Sequence, residues 1–163
     1  MHPISHFQQL LQEATAQAEP QRLLFVFAAA ELPKGATLAQ RERYLAGEGG
    51  ALAPLMCVDK TPVELEDFAD LLEESRHAGP PWQVVFASSL SGRAGRLPSK
   101  TEIDTALTSM AESVRAGAAG RFAAFDPTGE PILFHRSAAS GRHLIKVRAE
   151  GPKTAEGDGA SKA

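Results

Sequence analysis

Apolar residues at Ile4, Phe7, Leu11, Ala14 and Ala18 recur at helical spacing, and Ser5 with Gln8 supplies a capping-box pair. A helix is expected over residues 5–18, closed by Pro20. Residues 22–29 then form a short continuous apolar run, the pattern of a strand covered on both faces. Pro33, Lys34 and Gly35 break the chain, and Thr37 with Gln40 opens a short helix to about residue 46. After the turn Gly47-Glu48-Gly49-Gly50, residues 51–58 read as a second buried strand. Pro54 within it removes a ladder donor and points to an edge or a bulge.

Thr61-Pro62-Val63-Glu64 is the clearest helix start in the chain, and Leu65, Phe68, Ala69 and Leu72 form the stripe behind it. Gly79-Pro80-Pro81 ends that helix, and residues 82–88 give a third strand leading into a loop over 89–96. Ser99 and Glu102 cap a fourth helix with Ile103, Leu107, Met110, Ala111 and Val114 on its inner face. Residues 121–125 and 132–135 flank Asp126-Pro127-Thr128-Gly129, the signature of a hairpin. Residues 144–148 alternate as a short strand, and disorder is expected from 150 onward.

Strands alternating with helices imply βαβ units. The expected fold is α/β, one domain over residues 1–136. Its sheet is mostly parallel, with four to five strands, about four flanking helices and a C-terminal antiparallel hairpin. Residues 137–163 are expected as a polar, largely disordered tail. No internal repeat is present, and several strand orders satisfy the same elements.

Composition narrows the function classes. A chain of 163 residues with 43% hydrophobic and 23% charged positions suits one globular domain. A formal net charge of -3 predicts no bulk attraction to nucleic acid or anionic membranes. Cys57, the single cysteine, excludes an intrachain disulfide framework and a cysteine-rich zinc site, and suits the cytoplasm. No apolar run approaches the roughly 18 residues of a membrane span. The run over 23–30 reads as a strand rather than a signal segment, because an amphipathic stretch with Glu13 and Glu19 precedes it.

The stretch 88–99 is the first candidate site. A strand enters a loop holding Ser89, Ser91, Gly92, Arg93 and Arg96, and a helix start follows. Unpaired N–H groups at that start favour an anion, and either arginine offers a bidentate clamp. The dull alternative is a connecting loop with solvated arginines. Its spacing is neither a Walker A loop nor Gly-x-Gly-x-x-Gly. If the first three strands are parallel, their exits share one rim, which gathers Glu31, then Asp59, Lys60 and Thr61, then Ser89, Ser91 and Arg93. Asp59 and Thr61 are equally well explained as turn and cap residues. The expected ligand-binding set is Ser89, Ser91, Gly92, Arg93, Arg96, Asp59 and Lys60.

Other features carry less. Cys57 near Lys60 suggests a lowered thiol pKa, yet a lone cysteine in an apolar strand reads as core. Glu64, Glu66, Asp67, Asp70, Glu73 and Glu74 make an acidic helix that either docks a basic partner or is simply solvated. His2 with His6, and His77, His135 and His143, lack metal-ligand context. The basic run over 135–148 has no interleaved aromatics for base stacking. There is no Gly-x-Ser-x-Gly elbow and no His-Glu-x-x-His. No catalytic residue, metal or cofactor is therefore assigned.

Pro20-Gln21-Arg22-Leu23-Leu24-Phe25-Val26-Phe27, residues 49–62 and Ser91-Gly92-Arg93-Ala94-Gly95-Arg96 resemble a family of small uncharacterised proteobacterial proteins. The likeness runs over about residues 20–134. It implies no activity, because the family has none to transfer. Some members carry an automatic label as a ribonucleotide reductase large subunit. That chemistry needs a thiyl radical and further cysteines to supply electrons, and Cys57 stands alone in a chain far too short for the reductase barrel.

The leading expectation is a cytoplasmic, non-enzymatic binding or protein-interaction module, presenting either residues 89–96 or the acidic helix face. The runner-up is an enzyme or sensor that grips a small phosphate- or carboxylate-bearing ligand at the sheet rim. A purely structural partner in an oligomer is the third. The expected partner is thus a protein or a small anion, with no nucleic acid and no membrane.

Overall fold

The computed structural model describes residues 5–31, 35, 37–45, 51–136 and 144–148. One sheet has the order β2-β1-β3-β4, in which β1 is Gln21–Glu31, β2 is Ala51–Lys60, β3 is Val84–Ser91 and β4 is Ala123–Phe125. Each adjoining pair is antiparallel. The mostly parallel sheet expected from the sequence is therefore overturned.

The reason lies in the connections. A βαβ reading assumes that each helix returns the chain to the end of the sheet where the previous strand began. Here α2 (Leu38–Leu45) sits inside a long hairpin connection from β1 to β2, and α4 (Lys100–Arg115) carries β3 to an antiparallel β4. Strands β2 and β3 do run the same way, one on each side of β1. The crossover between them carries α3 (Phe68–Ala78).

The unbroken apolar run in β1 has a simple origin. Leu23, Phe25 and Phe27 pack with Phe7, Leu11 and Ala14 of α1 (His6–Thr15) and with Leu71 of α3. Leu24, Val26 and Ala28 point the other way, into a cluster with Ile103, Met110 and Val114 of α4. Side chains alternate across the sheet, so a strand with helices on both faces needs apolar residues at every position. Two-sided coverage, not strand direction, produced the run.

Aromatic contacts tie the α1 side together. The Phe7 ring meets Phe68 edge-on at 5.3 Å and Phe125 at 5.5 Å, and Trp82 meets Phe27 at 5.0 Å. The buried Trp82 indole N–H donates to Ser75 Oγ at 2.8 Å, so its polar handle is satisfied.

Local signals held where they are local in origin. Ser5 with Gln8, and Ser99 with Glu102, form complete capping boxes at α1 and α4, and Thr37 exchanges the same bonds with Gln40. The single helix expected from Thr61 is instead a 3-10 turn at Pro62–Glu64 followed by a restart. Leu65 is extended and buried, and Asp67 with Asp70 makes a second capping box for α3.

Pro54 meets both of its expected conditions. A bulge falls between Phe27 and Ala28 opposite β2, and β2 is a terminal strand. The Gln83 N–H donates to the Ala28 carbonyl at 2.9 Å, so the backbone groups of Ala28 face β3. Its β2 partner Pro54 consequently turns its nitrogen outward, where no donor is required.

Beyond β4, Asp126 organises a tight turn, accepting from the Thr128 and Glu130 N–H groups at 2.9 and 3.1 Å. The expected hairpin is present as a bridge between Phe125 and Pro131. Most pairing of β5 (Ile132–Arg136) is with β6 (Leu144–Arg148), in a separate two-stranded sheet. The rest of the expected tail, 137–143 and 149–163, lies outside the described residues. Among the described residues no helix is long and apolar enough to cross a membrane.

Phe7 gives the packing a direct test. Truncating a fully buried phenylalanine that touches three other rings should cost about 3–5 kcal/mol. Urea unfolding of Phe7→Ala measures it, and a loss below about 1 kcal/mol would mean that α1 does not close this face.

Candidate functional site

Because β2 and β3 both oppose β1, their exits meet at the end of the sheet where β1 begins. Lys60 pairs with Leu23, Asp59 with Leu24, Ser89 with Leu23 and Ser91 with Gln21. Glu31 pairs with Ala51 at the opposite end. The rim is thus built from two strand exits and one strand entrance, and Glu31 leaves it. Ser89 and Ser91, expected in a loop, belong to β3.

The groups brought together here largely satisfy one another. Buried Gln21 donates to Ser91 Oγ at 2.7 Å and to the Glu19 carbonyl, and accepts from Ser89 Oγ at 2.6 Å. On the other face Arg22 Nε contacts Asp59 at 2.7 Å. Lys60 Nζ reaches Glu74 of α3 at 2.7 Å. Asp59 and Lys60 point to opposite faces of the sheet, so they do not form one cluster. Gln21, Arg22, Glu19 and Glu74 had no sequence signal marking them as partners of this rim.

Residues 93–96 form a second, smaller structure. Arg93 and Arg96 exchange both backbone hydrogen bonds at 2.9 Å, with Ala94 at φ 53° and Gly95 at φ 78° between them. Two left-handed residues define a type I′ hairpin turn. Gly95 turns its N–H to Glu19 at 2.8 Å. Gly92 is fixed for another reason: a Cβ there would lie 1.7 Å from the Arg96 carbonyl oxygen. Gly92, expected in the ligand-binding set, therefore has a structural duty, as does Gly95.

A cross-strand pair holds its two side chains on the same face. Arg93 and Arg96 are such a pair, and Arg93 contacts Glu102 on the first turn of α4. Glu102 also accepts from the Ser99 N–H, which with Arg93 holds its carboxyl below the usual glutamate range. Arg96 forms no ion pair among the described residues. An open groove of about 470 Å³ adjoins this corner, lined by Leu90, Ser91, Thr101, Glu102, Thr105 and Ser109.

Cys57 is exposed on β2 rather than buried in the core as expected. Crowding of its thiol nevertheless raises its pKa, with Arg115 pulling the other way. Little thiolate then exists at neutral pH, which removes the basis for an activated nucleophile. No group of three or more metal-ligating side chains occurs among the described residues.

Two measurements test this geometry. Gly92→Ala should destabilise the fold by about 2–4 kcal/mol, as overpacking against backbone does, while Gly95→Ala meets nothing and costs only about 1 kcal/mol of left-handed strain. Equal effects would refute the close approach. Glu102 should titrate below an ordinary glutamate. Its depressed pKa means that the capping contribution is complete above the unfolded value and lost as pH falls through the folded one. The Ser99 amide shift should follow that lower midpoint, and a midpoint at or above the ordinary value would contradict the contact.

No protein-family model matches this chain, and no curated protein or solved structure is significantly similar to it.

Proposed function

We propose that this chain is a cytoplasmic protein-interaction module that takes an extended partner segment against the outer edge of β2. One observation carries the reading. Strand β2 is ten residues long and terminal in its sheet, and among the described residues no strand pairs with its outer side. Such an edge offers a row of unpaired N–H and C=O groups, the basis of recognition by strand addition.

The available groups can be named. Ala28 faces β3, so its alternating neighbours Phe27 and Phe25 face β2, and their partners Met56 and Val58 turn inward. Cys57 and Asp59 turn outward. Pro54 and the bulge blunt the first half of the strand, and the segment from Met56 to Lys60 keeps a regular register. The helix leading into β2 leaves Leu38 and Leu45 72% and 82% exposed, seven residues apart and hence on one face. An unpaired, exposed Cys57 suits a reducing compartment.

A second reading is favoured by the Arg93–Arg96 pair: two guanidinium side chains on one face of a hairpin suit a phosphate or carboxylate group. Glu102 then acts as an internal stand-in that the ligand displaces from Arg93.

One experiment separates the readings. Peptides selected by display against the chain should protect the Cys57 and Asp59 amides from hydrogen exchange. They should bind Cys57→Pro about tenfold more weakly, the effect of roughly one lost hydrogen bond. Selected binders that leave both amides unprotected would sink the edge reading. Saturable amide shifts at residues 92–99 with inorganic phosphate, abolished by Arg93→Ala with Arg96→Ala, would put the anion reading in its place.

A further inference from the structure

We propose that the occupant of the β2 edge is a second copy of this chain, the two β2 strands pairing antiparallel about a two-fold axis at Val58. The inference rests on the docking reading above and names its partner. With that axis, Cys57 of one copy faces Asp59 of the other, and their outward groups close two hydrogen bonds on each side of Val58. Pro54 then falls opposite Pro62 of the second copy, past the end of β2 at Lys60, so its missing donor is never called upon. A foreign strand lying along the whole edge would meet Pro54 without a bond.

Charge selects the same register. An axis at Asp59 would set two carboxylates directly opposite each other, which is unfavourable in a strand pair. An axis at Val58 places each Asp59, already joined to its own Arg22, against a neutral cysteine, and each Lys60 against Met56.

The flanking layers also fit. Helix α4 packs across β1 and β2 on one face. On the other face Lys60 reaches Glu74 of α3, and Met56 lies against Gly79 just after it. A helix straddling two strands has its axis about 2.4 Å inside the outer one, given a strand spacing of about 4.8 Å. Pairing the edges would therefore bring the two α4 axes to about 10 Å, the distance of packed helices.

The area sets the strength. Three layers make an edge roughly 30 Å thick, and five paired residues run about 17 Å, giving about 500 Å² per copy. The total of about 1,000 Å² is the lower limit for a specific interface, so the dimer should be weak, dissociating on the order of tens of micromolar.

Sedimentation equilibrium from well below to well above that concentration should show a monomer–dimer exchange. Hydrogen-exchange protection of the Cys57 and Asp59 amides should rise with concentration. A short bis-maleimide should join the two Cys57 thiols, diagonal neighbours about 7–8 Å apart in this register. Cys57→Pro, which removes a bonding N–H, and Cys57→Asp, which sets a carboxylate opposite the second copy's Asp59, should each weaken the dimer at least tenfold with unchanged circular dichroism, while Cys57→Ser keeps it. A monomer at every concentration, or a dimer indifferent to both disruptive variants, would overturn the proposal. If the chain stays monomeric while display-selected peptides still protect those amides, the second copy is refuted and the docking edge stands. If neither protects them, both fall.

Discussion

Six consecutive side chains of β1, from Leu23 to Ala28, are withdrawn from water, and no single helix can cover the two faces they present. Each large member contributes roughly 1.5–3 kcal/mol by its burial. Losing either cover would therefore expose half of the main stabilising surface. That requirement places α1 and α3 on one side and α4 on the other. It also fixes β1 at the interior of the sheet, since an apolar strand with an open edge would invite aggregation. The terminal position falls to β2, whose proline, bulge and lysine suit it.

What could be read from the chain follows the range of the interactions involved. Capping boxes at Ser5, Thr37 and Ser99 span three residues, so their chemistry is complete within the local sequence. Pro54 announced its edge position because a missing donor constrains the strand wherever it goes. Strand direction had no such local marker. The helical segment before β2 had the length of a crossover, and only the packing of β2 beside β1 turns that connection into a hairpin. The restart at Asp67 was hidden because Leu65 fits a helical stripe while in fact serving as an extended core residue.

The rim shows the same limit at the level of the site. Proximity of Asp59, Lys60, Ser89 and Ser91 at one end survived the wrong strand direction, because reversing β1 leaves β2 and β3 parallel to each other. Their partners did not follow. Gln21 meets Ser89 and Ser91 across 68 and 70 residues of chain, and no spacing rule connects such positions. Polar residues flanking an apolar strand were visible, but their mutual satisfaction was not.

This satisfaction decides which surface is open to a partner. A ligand at the rim would compete with bonds already made inside the molecule, and breaking the part-buried Gln21 network leaves groups that cost about 1–3 kcal/mol each when unpaired. The Arg93–Glu102 contact is the exception, because solvent screens an exposed pair and it yields readily to a doubly charged anion. Among the described residues no strand pairs with the outward groups of Cys57 and Asp59, so there a partner competes with solvent. Water surrenders such groups with little net gain per bond, so affinity at the β2 edge must come from side chains and from the helices on either side. The edge therefore favours a partner that brings its own layers with it over a lone extended peptide, which is the physical case for a folded neighbour of the same architecture.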